Sequence, residues 1–309
     1  LSTIPKKLVL GLDPGWPPVF GKDHAQVKVN YQHAFHAGNF ADVHKHAVLA
    51  RILMYLKEKP AAFRVIDTHA GAGRYDLRGT EATRGGEWRD GIGRLFERRL
   101  PDQAQTLLAP YLDSVQNLNP GGALRLYPGS PLIALALMRP QDRLIACELE
   151  PRAAAALKGV LRDRRAKALA LDGWTALGAY VPPKERRGVV LVDPSFEEAA
   201  DFSRLASALA AAHRKWPTGI YMLWYPIKER EAPDTLARRL RKLAMPGVLR
   251  CEIALGAPRG DAGLVGSGLI VVNPPFKLAG ELRILLPALA DAFVAAGAAS
   301  RIDWLAAAR

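Results

Sequence analysis

Gly188-Val-Val-Leu-Val-Asp-Pro-Ser-Phe196 joins a solid run of branched aliphatics to an acid, a proline, a serine and an aromatic. A strand that is apolar without alternation is buried on both faces, the situation at the centre of a parallel sheet. In open α/β sheets ligands bind beyond the carboxyl ends of such strands, so Asp193, Pro194 and Phe196 stand where chemistry is expected. The rest of the chain is read around this strand as an α/β protein.

The 309 residues are 49% hydrophobic, enough to bury one large domain or a domain with an insertion, and a disordered chain is excluded. Lys and Arg number 43 against 30 Asp and Glu, a formal net charge of +13 that points to a polyanionic partner or to a basic solvated surface. No uncharged run reaches the roughly 20 residues needed to span a bilayer, and the apolar stretch after Lys6-Lys7 is too short for a signal sequence. A cytoplasmic protein without a membrane partner is expected. Cys147 and Cys251 lie far apart with no Cys-x-x-Cys, and read as buried free thiols.

Residues 1–30, rich in Pro and Gly around Asp13-Pro-Gly-Trp-Pro-Pro18, read as an irregular N-terminal extension. The texture changes at Tyr31-Gln-His-Ala-Phe-His-Ala-Gly-Asn-Phe-Ala-Asp-Val-His-Lys-His46, which leads into a helix pattern through Leu56. Six of the seven histidines precede residue 70, yet there is no His-Glu-x-x-His and no carboxylate at ligand spacing, so no metal is expected. Phe63-Arg-Val-Ile-Asp67 is a strand, and Asp67-Thr-His-Ala-Gly-Ala-Gly73 is the glycine-rich turn after it, where backbone can approach a nucleotide-type cofactor. Asp76 stands where the dinucleotide fingerprint has its third glycine, and no Gly-Lys-Ser/Thr follows, which argues against NAD and ATP. What remains is the Asp-x-x-x-Gly-x-Gly turn of S-adenosylmethionine enzymes, with Asp67, Gly71 and Gly73 as cofactor candidates.

Residues 75–126 carry Arg78, Arg84, Arg89, Arg94, Arg98 and Arg99 with helix patterns at 92–100 and 104–115. They read as a helical insertion subdomain within a domain formed by 31–74 and 127–309, its arginines gripping phosphate or simply solvated. Tyr127-Pro-Gly-Ser130-Pro131 opens a helix with Ser130 as expected N-cap, and the free N–H groups there suit a ligand carboxylate. The strand at 143–148 ends in Glu148, placed to accept from ribose hydroxyls, with Glu150 a weaker candidate. Asp172-Gly173 follows a third strand at 166–171; its acid suits an adenine amine or ordinary turn chemistry. Further strands at 219–225, 248–255 and 267–272, the last pair a hairpin, complete a seven-stranded mixed sheet with one antiparallel strand.

Enzymes that methylate an exocyclic amine use a short Asn/Asp/Ser-Pro-Pro-aromatic loop after the fourth strand. The amine is a poor nucleophile while conjugated to its ring. Acceptors on both its N–H bonds, here Asp193 and the Pro194 carbonyl, favour the pyramidal form that attacks in line. Phe196 stacks on the extruded base. Ser195 replaces the second proline and keeps the carbonyl acceptors. Asn273-Pro-Pro-Phe276 is nominally a better match, but it follows the final strand and reads as a structural turn.

With the histidine-rich opening, Asp67-Thr-His-Ala-Gly-Ala-Gly-Arg-Tyr75, Tyr127-Pro-Gly-Ser-Pro131 and Trp224-Tyr-Pro226 in hand, the chain resembles the RlmJ family of bacterial large-subunit rRNA adenine-N6 methyltransferases over about residues 31–304. The resemblance implies a Rossmann-like class I S-adenosylmethionine-dependent methyltransferase fold with a small helical insertion, acting on an adenine of 23S rRNA; a monomer is expected. It implies cofactor contacts at Lys45, His46, His69, Ser130, Glu148, Asp172 and Gly173, with Lys45 and His46 reaching the methionine moiety as the opening segment folds across it. Asp193 is the implied catalytic residue. The family usually has Asp-Pro-Pro-Tyr where this chain has Asp193-Pro-Ser-Phe, and it starts near Tyr31, which sets the expected start near Val29. Two other readings are methylation of DNA adenine or of a protein glutamine. A third is a basic RNA-binding assembly factor on a catalytically weak fold, for which Ser195 is the supporting feature.

Overall fold

The computed structural model describes residues 32–197, 200–259, 263–293 and 298–307. The expected irregular extension at 1–30 lies outside them. After a 3-10 turn at His33–Phe35 come α1 (Phe40–Lys57), β1 (Arg64–Asp67), β2 (Arg74–Asp76), α2 (Thr80–Gly85), a π turn at Arg89–Gly93, α3 (Arg94–Glu97) and α4 (Asp102–Asn117). There follow β3 (Leu126–Pro128), α5 (Ser130–Leu137), β4 (Arg143–Glu148), α6 (Pro151–Val160), β5 (Ala166–Ala170), α7 (Gly173–Tyr180) and β6 (Gly188–Val192). The last elements are α8 (Asp201–Lys215), β7 (Ile220–Ile227), α9 (Glu231–Lys242), β8 (Val248–Arg259), β9 (Leu264–Val272), α10 (Leu278–Phe293) and β10 (Ala299–Ala306).

The main sheet has eight strands in the order β10-β8-β9-β7-β6-β1-β4-β5. From β5 to β7 the pairs are parallel. β9 runs antiparallel between β7 and β8. The seven expected strands are all present, and β10 adds an eighth, antiparallel to β8, so two strands rather than one oppose the rest. β10 escapes a reading by hydrophobic pattern because it is an edge strand carrying Ser300, Arg301 and Asp303. Asp303 explains its place: both its oxygens accept from the guanidinium of Arg250 at 2.9 Å, and Arg250 on β8 is 1% exposed. A buried cation needs such a partner.

Alternate residues of the central strand divide between two cores. Val189 and Leu191 of β6 join Val65 of β1 and Met222 of β7 beneath α1, α5 and α10. Val190 and Val192 join Ile66, Tyr221 and Leu223 against α8 and α9. Burial on both faces is what the unbroken apolar run required. In α1, 14 of 18 residues are buried, because it touches α4, α5, α10 and the sheet. Asn39 caps its N-terminus by accepting from Asp42 N at 2.9 Å.

Residues 77–125 leave and return through a two-stranded ladder in which Tyr75 of β2 opposes Tyr127 of β3. Within this segment α4 lays Leu108, Tyr111, Leu112 and Val115 into the core shared with α1. The expected helix at 92–100 is a π turn followed by one turn of α3. Among the described residues no helix is long and apolar enough to cross a membrane. Cys147 and Cys251 are buried free thiols, and burial pushes the Cys147 thiol up to about 12.

Candidate active site

The carboxyl ends of β1 and β6 and the start of α5 gather with α1 around one polar cluster, and the ends of β4 and β5 follow along the sheet. Asp42, Lys45 and His46 share a face of α1 at i, i+3 and i+4. Lys45 Nζ donates to Asp42 Oδ1 at 2.9 Å and to Asp193 Oδ2 at 2.5 Å. Burial works against the charge on Lys45, but the two carboxylates outweigh it and hold the ammonium well above the ordinary lysine range. Asp42 Oδ2 accepts from Gly38 N at 2.9 Å and pairs with His33 Nε2 at 2.9 Å. Its burial is likewise outweighed by His33 and Lys45, which keep it well below the usual carboxylate range. Asp193 therefore has one oxygen fixed by Lys45, and its Oδ1 has no hydrogen-bond partner among the described residues.

Pro194 is buried and Ser195 exposed. Phe196 has φ +50°, a left-handed conformation costing an ordinary residue about 1–2 kcal/mol. In that pose its ring lies 4.8 Å from Phe202 and 5.8 Å, edge-on, from Trp224. Trp224 also faces Lys45 Nζ, 6.0 Å from its ring centroid, while its Nε1 is anchored on Ser267 Oγ at 3.0 Å.

The glycine turn lies beside this cluster. Asp67 Oδ2 accepts from Ser130 Oγ at 2.6 Å, and among the described residues Asp67 Oδ1 is buried with no side-chain partner. Burial raises the Asp67 carboxyl to about 7, the Ser130 bond opposing and the Asp193 charge adding to the rise. Gly129, not Ser130, is the N-cap of α5; Ser130 has moved one position inside the helix and spends its hydroxyl on Asp67. Gly71 has φ +61°, and its N–H donates to Glu148 Oε2 at 2.9 Å. Glu148 Oε1 accepts from Glu150 N, and Glu150 itself caps α6, which accounts for both acids at the end of β4.

His69 Nδ1 is paired with Thr68 Oγ1 at 2.8 Å, and its ring meets Trp174 edge-on at 5.3 Å. Burial lowers its pKa to about 4, Asp193 and Asp172 opposing. Gly173 is needed for close approach: a Cβ there would sit 2.3 Å from Thr68 O and 2.6 Å from the His69 ring. Asp172 caps α7 by accepting from Thr175 N at 2.8 Å. His46 bonds away from this group, its Nδ1 being 2.7 Å from Tyr127 Oη.

The structure thus joins Lys45 to Asp193, Asp67 to Ser130, Gly71 to Glu148 and His69 to Gly173. Sequence reasoning passed over Asp42, Trp174 and Trp224. Only Asp42 carried a usable signal, an acid three residues before Lys45 on a helix. Asn273 lies elsewhere: it follows the antiparallel interior strand β9, whose carboxyl end lies beside the amino end of β7 and so at the opposite end of the sheet from Asp193, with Nδ2 donating to Pro217 O and Gly219 O at 2.7 and 2.8 Å. Its loop is a turn.

A parallel sheet reversing at β6/β1, a glycine turn after β1, acids after β4 and β5 and a polar loop after β6 define a Rossmann-like class I methyltransferase. The model of a family described as "Ribosomal RNA large subunit methyltransferase D, RlmJ" matches residues 60–306, and the chain belongs to this family. Ribosomal RNA large subunit methyltransferase J of Escherichia coli K12 is 39% identical over 279 residues, 90% of this chain and 99% of that protein. The Haemophilus influenzae protein of the same name is 38% identical over 281 residues, with the same shares covered. A crystal structure of a Legionella pneumophila protein superposes with a TM-score of 0.79 at 32% identity, covering 87% of this chain and 98% of that one.

The residues fit the cofactor of such enzymes. Among the described residues Asp67 Oδ1 and His46 Nε2 are buried polar atoms without a side-chain hydrogen-bond partner, the kind of atom a bound group satisfies, and Gly71 and Gly173 pack where a Cβ would strike Tyr75 Oη, Thr68 O or the His69 ring.

Proposed function

We propose that the protein methylates the N6 amine of an adenine in 23S rRNA in the cytoplasm, with S-adenosylmethionine as donor. The observation that carries this reading is the state of Asp193 at the carboxyl end of the central strand: one oxygen is held by Lys45, and the other has no partner among the described residues. The names of the Escherichia coli and Haemophilus influenzae relatives support large-subunit rRNA as substrate.

Asp193 Oδ1 and the Pro194 carbonyl accept the two N–H bonds of the target amine and draw its lone pair out of conjugation. Phe196 forms the stacking wall for the base, backed by Phe202 and Trp224. Lys45 keeps the carboxylate from rotating and leaves one acceptor oxygen facing outward. Asp67, Ser130, Glu148, His69, Asp172 and Gly173 line the cofactor cleft. When bound, S-adenosylmethionine supplies an electrophilic methyl on sulfonium sulfur. The new N–C bond replaces the S–C bond, and Asp193 accepts the proton that the amine gives up. Residues 75–126 serve as the insertion subdomain, and their exposed arginines grip the RNA backbone.

Incubation with methyl-labelled cofactor and naked 23S rRNA, duplex DNA or a glutamine-bearing protein, followed by mapping of the label, tests the reading. Label on an rRNA adenine is expected; label on DNA or protein alone would overturn it. Asp193→Ala is expected to abolish transfer while calorimetry still detects cofactor binding. Binding to rRNA that does not weaken with added salt would remove the phosphate-gripping role from the insertion.

A further inference from the structure

Behind the cofactor cleft runs a buried chain of three side chains that the reaction does not use directly. His46 Nδ1 lies 2.7 Å from Tyr127 Oη, which lies 2.9 Å from Tyr111 Oη. Tyr111, Tyr127 and His46 are 0%, 0% and 1% exposed. Among the described residues the Tyr111 hydroxyl has no other partner, and His46 Nε2 has none at all.

Two proton arrangements satisfy these distances with Tyr127 both donating and accepting; a third, in which Tyr127 only accepts, leaves its own O–H and His46 Nε2 unpaired. In the first, Tyr111 donates to Tyr127, Tyr127 donates to His46 Nδ1, and the imidazole carries its proton on Nε2. One buried group, the Nε2–H, is then left without a partner. In the second, every bond runs the other way: His46 Nδ1–H donates to Tyr127 and Tyr127 donates to Tyr111. The Tyr111 O–H then points at nothing, and Nε2 is an unpaired acceptor. An unsatisfied buried polar group costs about 1–3 kcal/mol, so the arrangement with one orphan prevails over those with two. The choice is between tautomers of a neutral ring, since burial lowers the His46 pKa to about 3, Asp42 opposing.

We propose that Tyr111 and Tyr127 are positioning residues that lock His46 in the Nε2–H tautomer, so that α1 offers a preformed donor to the carboxylate of the bound cofactor. The proposal rests on the reading of this cleft as the cofactor site. It gives the insertion a second task, because Tyr111 belongs to α4 and Tyr127 to the ladder through which the insertion leaves and returns.

The test uses the full chain with 15N-labelled histidine. In the wild type without cofactor, His46 should show a pyrrole-type Nε2 and a pyridine-type Nδ1. The opposite pattern overturns the tautomer assignment. Tyr127→Phe should yield a mixture of tautomers and weaken S-adenosylmethionine binding by about tenfold, the size such losses reach at metal-bound histidines held by outer partners. Tyr111→Phe should have a smaller effect, because the Tyr127 hydroxyl can still donate to Nδ1. In a His46→Gln background, where the side-chain amide donates without tautomers, Tyr127→Phe should weaken binding no further. A tenfold loss that persists there would show Tyr127 to be merely structural and would overturn the proposal. If the wild type binds no S-adenosylmethionine by calorimetry, the cofactor reading fails and takes the purpose of the donor with it, whereas the resonance pattern still decides the tautomer.

Discussion

Asp67 offers a sharp test of the physics at this site, because its carboxyl is 1% exposed, has an oxygen without a side-chain partner among the described residues and is raised from the ordinary 3.8 to about 7. Burial is the chief cause: a charge there would lack the solvation it has in the unfolded chain. The folded state therefore holds this proton more tightly than the unfolded state. The stability linked to it is full below pH 3.8 and is lost as the pH rises through about 7. The rise is roughly three units at about 1.36 kcal/mol each, so about 4 kcal/mol is the upper bound on what titration of this group removes. Asp67→Asn deletes the titration while its side-chain carbonyl can still accept from Ser130. Urea unfolding of wild type and variant at about pH 5 and about pH 8 isolates the effect, since other titrating groups cancel in the difference. The variant should gain on the wild type by up to ~3 kcal/mol on going from the lower pH to the higher, the first part of the loss falling between pH 3.8 and about pH 5. A difference independent of pH would refute the reasoning, and a gain in the opposite direction would mean that Asp67 is a stabilised anion.

Asn273→Ala should lower stability by about 1–3 kcal/mol in the same unfolding assay, through the two carbonyls it releases, while methyl transfer by the folded fraction is unchanged. Gly173→Ala forces a methyl against Thr68 O and the His69 ring, so cofactor affinity should fall by at least tenfold in calorimetry; an unaltered affinity would remove Gly173 from the cleft wall. Ser195→Pro restores the second proline of the loop. It should add roughly 0.4–1 kcal/mol of stability without loss of turnover, and a fall in turnover would show that this protein needs the looser loop.

The seven core strands were legible in order along the chain as short apolar runs, with β1, β4, β5 and β6 each reaching an acid at or within two residues of its carboxyl end. That order also separated Asp193 from Asn273, whose local sequences are nearly interchangeable. β10 was not legible, since an edge strand that presents Arg301 and Asp303 has no hydrophobic signature. The partnership of Lys45 with Asp193 spans 148 positions and arises only when α1 docks across the sheet. Trp224 and Trp174 carry the same apolar signal whether they fill a core or line a cleft, and only their neighbours, Phe196 and His69, tell which. Ser130 was placed at the right loop but given the wrong task, because the acid that claims its hydroxyl lies 63 positions earlier.

The enclosure of α1 has a consequence for timescales. A lysine on a surface helix swings away in nanoseconds, whereas Lys45 lies on a helix whose removal would open the main core, so its amide should exchange with solvent only through global unfolding. Across the cleft, Ser195 is exposed and Phe196 sits in a backbone well it does not prefer. The helix fixes Lys45 against Asp193, and in the proposed reaction the exposed Ser195 and the left-handed Phe196 are the side that meets the incoming base.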